Sequence, residues 1–277
     1  MNSVLKQVIP ASLKPFLRRL YHISLDALDI IRGRRDSLTA PRRISCIGAG
    51  NSLKIREEFL GYFKEFGQLK PWEKVLDVGC GTGRMAAALL SYLDERGSYD
   101  GFDIVKSGID WCTQKITAKN PRFRFTHADI FNKAYNPTGK IHCEEFRFPY
   151  PDTHFDFVFL TSVFTHMLPE EVERYMAEIS RVLKPGGRCL ITFFLLDAES
   201  RRLLIAGKTH QNFSYDKRGF WTTDFDVPET AVAYDEFFVK QLFEKFGFEI
   251  AEPIHYGSWS GRQDFLSYQD IVVARKK

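Results

Sequence analysis

Lys74-Val75-Leu76-Asp77-Val78-Gly79-Cys80-Gly81-Thr82-Gly83-Arg84 reads as a buried strand that runs straight into a glycine turn at the head of a helix. Val75, Leu76 and Val78 are strand formers. Gly79, Gly81 and Gly83 let backbone approach a ligand closely, and the helix expected from Met85 points its first amides at the turn. An anionic group suits that place. Spacing narrows the choice: a pyrophosphate fingerprint is G-x-G-x-x-G, whereas this turn is G-x-G-x-G, with Arg84 where the last glycine would fall. Further on, Tyr99-Asp100-Gly101-Phe102-Asp103-Ile104 reads as a second strand ending in an acid, placed to accept hydrogen bonds from ribose hydroxyls.

A ribose without a diphosphate suggests S-adenosylmethionine, and the motifs that follow keep that order. They are His127-Ala128-Asp129-Ile130; then Phe148-Pro149-Tyr150-Pro151-Asp152 leading into Phe155-Asp156-Phe157-Val158-Phe159-Leu160; then Leu183-Lys184-Pro185-Gly186-Gly187-Arg188 before another apolar strand. With these, the chain from about Leu69 to its end resembles the class I S-adenosylmethionine-dependent methyltransferases. The resemblance implies that Asp77 and the amides of Gly79, Cys80, Gly81 and Gly83 bracket the methionine part of the cofactor. Arg84 would meet its carboxylate, Asp103 would hold the ribose and Ile104 would pack on the adenine. Asp129 and the Ile130 amide would meet the adenine edge, unless Asp129 merely caps a short helix, and Thr161 completes the cofactor set.

Around that centre the elements alternate. Strands read at 74–78, 99–103, 123–127, 155–161 and 188–194, and helices at 85–96, 105–117 and 169–183. Ile55, Phe59, Tyr62, Phe63 and Phe66 make one face of an amphipathic helix ahead of the first strand, which in the resembled family covers the cofactor. Asp235 to Phe246 reads as a helix, and final strands at 247–254 and 268–274 form a terminal hairpin. The expected fold is α/β and Rossmann-like: a doubly wound, mostly parallel seven-stranded sheet with an antiparallel C-terminal edge strand and helices on both faces. Residues 1–43 form a basic leader and linker, and 44–277 the methyltransferase domain. Within it, the irregular stretch 195–234 is longer than a connector needs and is the expected lid.

Methyl transfer from a sulfonium is an in-line displacement, so the protein must orient an acceptor and, for a hydroxyl, remove its proton. Strand four runs out through Thr161-Ser162-Val163-Phe164-Thr165-His166-Met167 at the carboxyl edge of the sheet, which makes His166 the candidate base. A capping or orienting role beside Pro169-Glu170-Glu171 is its rival. His255-Tyr256-Gly257-Ser258-Trp259-Ser260-Gly261-Arg262, dense in aromatic and donor groups, offers His255, Tyr256, Trp259 and Arg262 to a sugar ring or planar acceptor, with Trp221 from the lid. A buried hairpin with a surface arginine is the plainer reading of that turn. The expected acceptor is a small molecule or glycan-like group methylated on oxygen, and no metal site is expected.

Composition sets outer bounds. The 277 residues, 44% apolar, can bury a sizeable core. Five cysteines with no paired spacing point to a reducing compartment, and no apolar run approaches a membrane span, so the expected location is the cytoplasm. Residues 1–43 hold nine Lys/Arg against Asp26, Asp29 and Asp36, and the overall +4 therefore leaves the remainder slightly acidic, without a nucleic-acid signature. Leu13, Phe16, Leu17, Leu20, Ile23, Leu28 and Ile31 recur at roughly helical spacing among those bases. Such a helix could lie on an anionic membrane or another subunit, or simply pack on the domain. Three other functions remain: N- or C-methylation on the same scaffold, a nicotinamide oxidoreductase disfavoured by Arg84, and a non-catalytic cofactor-binding module recruited by the leader. The oligomeric state is open.

Overall fold

The first strand lies where its apolar run predicts, at Lys74–Val78 (β1), and every later element is organised by it. The structure is a computed structural model and describes residues 14–44 and 51–277. After a leader helix Lys14–Ile31 (α1) come Ser52–Glu65 (α2), β1, Arg84–Leu89 (α3), Ser98–Asp103 (β2) and Lys106–Cys112 (α4), the last extended by a wider turn to Thr117. Phe123–His127 (β3), Phe155–Leu160 (β4), Pro169–Val182 (α5) and Leu183–Phe193 (β5) complete the alternating part. Then follow Leu195–Leu196 (β6), Ala198–Ile205 (α6), Tyr215–Asp216 (β7), Phe220–Thr222 (β8), Val232–Asp235 (β9), Glu236–Lys245 (α7), Phe248–Ile250 (β10) and Asp270–Lys276 (β11).

The main sheet has seven strands in the order β10-β11-β5-β4-β1-β2-β3. Strands β1 to β5 pair in parallel, while β11 runs antiparallel to both β5 and β10. β1 therefore sits where the winding reverses, with β2 on one side and β4 on the other, and a crevice opens beyond its carboxyl end.

Alternation along the central strands divides the core in two. Leu76, Val78, Val158 and Leu160 point to the face covered by α5 and α7 through Val172, Met176, Ile179, Val239 and Phe243. Val75, Phe157 and Phe159 point to the face covered by α2 and α3 through Phe63, Met85 and Leu89. Phe63 is fully buried with its ring 4.4 Å from that of Phe159, so truncating it to Ala removes about 3–5 kcal/mol.

Three expectations shift. The helix after the glycine turn stops at Leu89 rather than 96. Strand β5 begins at Leu183, with the Lys-Pro-Gly-Gly segment drawn into it by pairing of Leu183 with Phe155. The stretch 195–234 contains structure of its own: β6, β9, β8 and β7 form a second sheet, over a small core of Phe194, Leu196, Phe213, Ala233 and Trp259. Leu13 lies outside the described residues. No helix among those described is long and apolar enough to cross a membrane.

Candidate active site

A cavity of about 450 Å³ occupies the crevice at the end of β1. Its floor is the glycine turn. The Gly79 and Cys80 amides both donate to the Phe102 carbonyl, at 2.9 and 3.0 Å, folding the turn back against β2. Gly79 has φ +80°, and a Cβ there would collide with Val163; at Gly83, with φ +74°, it would come within 2.9 Å of the Cys112 sulfur. Only glycine leaves this backbone bare.

Asp77, Gly79, Cys80, Gly81, Arg84, Asp103, Ile104, Ile130, Thr161 and His166, all expected in the site, line this one cavity. Gly83 stands just behind the wall, at the head of α3. Asp103 accepts hydrogen bonds from the Gly81 amide at 2.7 Å and the Val105 amide at 2.8 Å, so one carboxylate joins the turn to the start of α4. Burial raises its pKa above the ordinary value, against the pull of those amides.

Two charged groups are incomplete. Asp77 Oδ2 accepts from the Tyr99 hydroxyl at 2.6 Å, but Oδ1 is buried with no partner among the described residues. Burial pushes this carboxyl up to about 8, with the nearby Asp103 adding to the rise and Tyr99 opposing it. Arg84 makes no ion pair among the described residues, and burial, reinforced by the charge of Arg56, pulls it down to about 10. An acid lacking a donor and a base lacking an acceptor, on one wall, suit the ammonium and carboxylate of an amino acid.

The other end of the cavity is built by segments that meet only in three dimensions. His166 Nδ1 lies 3.0 Å from the Glu229 carbonyl, which can only accept, so Nδ1 carries the proton and Nε2 is left with its lone pair. Burial pulls this imidazole below its ordinary value, opposed by the backbone contacts at Glu229 and Thr230. The Tyr135 hydroxyl stands 3.4 Å from the same nitrogen. Glu171 also lines this end; its Oε2 accepts the Leu168 amide at 2.7 Å, and burial raises the carboxyl to about 7. Ser162, on the wall between the two ends, holds φ +59°, fixed by its amide bond to Thr192 Oγ1 at 2.8 Å and its hydroxyl bond to Gln269 at 2.9 Å.

Other expected residues are placed elsewhere. Asp129 does not reach the wall: its carbonyl receives the Lys140 and Ile141 amides and its carboxylate faces Asn136. No helix starts there either. The five expected acceptor-binding residues do not line the cavity. Trp259 is completely buried and donates from Nε1 to Asp270 at 2.7 Å, so it has no face to offer a ligand. Tyr256 donates to Glu236 at 2.7 Å under the guanidinium of Arg262, which itself pairs with Asp197 and Glu199. His255 stacks on Phe66 with ring centres 4.1 Å apart, and Trp221 packs in the small second core, on β8. The turn 255–262 is therefore a structural knot. Sequence reasoning missed Glu171 and Tyr135, although the proximity of Glu171 to His166 at the start of α5 was a usable signal.

Residues 76–191 match the family model described as a methyltransferase domain. Among similar proteins are a tRNA N(3)-cytidine methyltransferase from Gallus gallus (29% identical, covering 43% of this chain and 29% of the relative) and a ubiquinone/menaquinone biosynthesis C-methyltransferase from Cupriavidus necator (29%, covering 46% and 45%). A fatty-acid O-methyltransferase from Mycolicibacterium smegmatis is 29% identical over 43% of this chain and 36% of its own. The chain thus spans less than half the length of these relatives. A solved protein from Pyrococcus horikoshii OT3 shares the fold at a TM-score of 0.56 and 18% identity, covering 84% of this chain and 95% of that one. The matched segment opens within β1 and closes within β5, bracketing the glycine turn, Asp103 and His166. Motif, sheet order and cavity thus agree with the methyltransferase-domain match over 76–191, and the chain resembles the class I S-adenosylmethionine-dependent methyltransferases in that segment and in its fold.

Proposed function

We propose that the protein moves a methyl group from S-adenosylmethionine to a hydroxyl oxygen of a small-molecule acceptor, with His166 as general base. The observation that carries this reading is the 3.0 Å contact of His166 Nδ1 with the Glu229 carbonyl: it commits Nδ1 as donor, so the neutral ring keeps its lone pair on Nε2, in a side chain that lines the same cavity as Asp77 and Arg84. The cofactor supplies an electrophilic methyl on a positively charged sulfur. Arg84 and Asp77 would hold its amino-acid part, Asp103 its ribose, and Ile104 and Ile130 its base, leaving the His166 end for the acceptor.

At that end Glu171 is a carboxyl poised between its two protonation states near neutrality, able to accept from or donate to an acceptor hydroxyl while His166 takes the proton. Ile55 and Phe59 of α2 line the cavity with the turn and exclude water from it. The second sheet, residues 195–234, presses the Glu229 carbonyl onto His166 and is the proposed lid. With Trp259 buried and Tyr256 and Arg262 engaged with Glu236, Asp197 and Glu199, the turn 255–262 offers a sugar ring no aromatic platform in the cavity, and acceptor shape is read by Tyr135, Phe131 and Met167 instead.

A nitrogen acceptor is the second reading, favoured by the carboxyls of Glu144, Glu170 and Glu229, whose charges all act on Glu171. Incubating a metabolite extract with the enzyme and a labelled methyl donor, followed by mass spectrometry, identifies the atom. His166→Ala is expected to lower kcat by about 10²–10⁴-fold with cofactor affinity unchanged. Unchanged turnover in that variant removes His166 as the base.

A further inference from the structure

We infer that α1 is a docking face for an anionic lipid surface, an inference that stands apart from the methyl-transfer reading. Its exposed apolar side chains are Leu20, Tyr21, Ile23, Leu28, Ile30 and Ile31, with Ile31 81% exposed. At about 100° per residue these six fall within one half of the helix circumference. His22, Asp26 and Asp29 fall in the other half.

That second half is the tethered one. Asp26 pairs with Arg35 and Arg42, and Asp29 with Arg42, all in the linker that follows. Arg35 also donates to the Thr39 and Ala40 carbonyls at 3.0 and 2.6 Å. Asp36 pairs with Arg56 of α2 at 2.7 Å, and Ala40 is buried. The helix is thereby held to the catalytic body by its polar side with its apolar side turned outward.

Charge selects the occupant. Of the nine Lys/Arg and three Asp in residues 1–43, all three acids are already neutralised by arginines, two of them from the same stretch. Arg32 and Arg34 are exposed at the end of α1, and Lys14, Arg18 and Arg19 lie along it. A second copy would bring an equal excess of positive charge against this face, whereas anionic headgroups complement it and the acyl boundary takes the apolar half. Ile44, which ends the described linker, lines the cavity, so a docked α1 sets the active-site wall close to the lipid surface.

The test is sedimentation of the full chain with vesicles of phosphatidylcholine alone and of phosphatidylcholine with phosphatidylglycerol, at low and high salt. The expected result is binding to the phosphatidylglycerol vesicles only, weakened by salt. Ile23→Asp with Ile31→Asp should abolish it, and Arg32→Gln with Arg34→Gln should weaken it about thirtyfold. Cofactor affinity and melting temperature, unchanged in both double variants, show that the domain is intact. No binding to phosphatidylglycerol vesicles, equal binding to both vesicle types, or binding unaffected by either double variant overturns the inference. So does a concentration-dependent dimer that Ile23→Asp with Ile31→Asp disperses.

Discussion

Asp77 is a buried carboxyl with one oxygen satisfied by Tyr99 and the other by nothing among the described residues. Its folded-state pKa is raised from 3.8 to about 8, so across that window the ligand-free fold holds a proton that the unfolded chain releases. The contribution of Asp77 to stability therefore declines as pH rises through it. Asp77→Asn should flatten that decline, seen in urea midpoints against pH, while weakening S-adenosylmethionine binding about 10- to 100-fold through the lost charge-assisted bond. In the wild type, a cationic group beside Asp77 favours the anion, so cofactor binding near neutrality should release a proton; calorimetry in buffers of different ionisation enthalpy measures it. The lowered pKa of His166 in the ligand-free protein predicts that the acid limb of kcat/KM against pH falls below 6.5, the ordinary value, and that kcat/KM rises with pH through it. Asp77, Arg84 and Asp103 were legible because their motif is local: a strand, a turn and the next strand end suffice to place them. Trp259 was not. Its aromatic, donor-rich neighbourhood reads equally as a binding platform or a knot, and what decides is Asp270, which gathers the Leu195 and Gly257 amides and the indole into one buried cluster.

Apolar runs made β1, β4 and the second half of β5 readable, since strands covered on both faces need no alternation of polar and apolar residues, whereas β3, Phe-Arg-Phe-Thr-His at the sheet edge, does alternate. The short pieces of the second sheet, two to four residues each, offer no period at all, and their existence depends on the core around Phe194 and Trp259 that only the folded chain assembles. The Leu183-to-Arg188 segment was recognised as a motif, yet its purpose lies in packing. Arg188 forks onto both oxygens of Glu73 at 2.8 and 2.7 Å and donates to the Gly67 and Gln68 carbonyls, fastening the end of α2 to β5. Arg188→Ala leaves Glu73 half-buried with only the Lys70 amide as donor and no counter-charge, and should cost about 3 kcal/mol, read as a shift in the denaturation midpoint with unchanged slope. The helix α2 was foreseen above the cofactor site; its far end turns out to depend on a strand residue more than a hundred positions away.

Across the chain, positive charge gathers at the beginning and a slight negative excess remains in the catalytic body, a division visible in the sequence. What the sequence could not show is that the two parts are bolted together through Arg56, whose guanidinium reaches Asp36 at 2.7 Å and Thr39 at 3.2 Å. Arg56→Gln should release the linker without unfolding the domain, so limited proteolysis should cut faster between 32 and 43 while the melting temperature moves little. The Glu229 carbonyl joins another pair of regions, because the turn Pro228–Thr230, which links β8 and β9 of the small sheet, sets it 3.0 Å from His166 Nδ1. Were that sheet to swing aside to admit a guest, the imidazole would lose its lock in the same motion. If His166 is the base and 195–234 the lid, as proposed, the catalyst would be armed only after the door is shut, which would deny stray water an activated partner and spare an expensive methyl donor from idle hydrolysis.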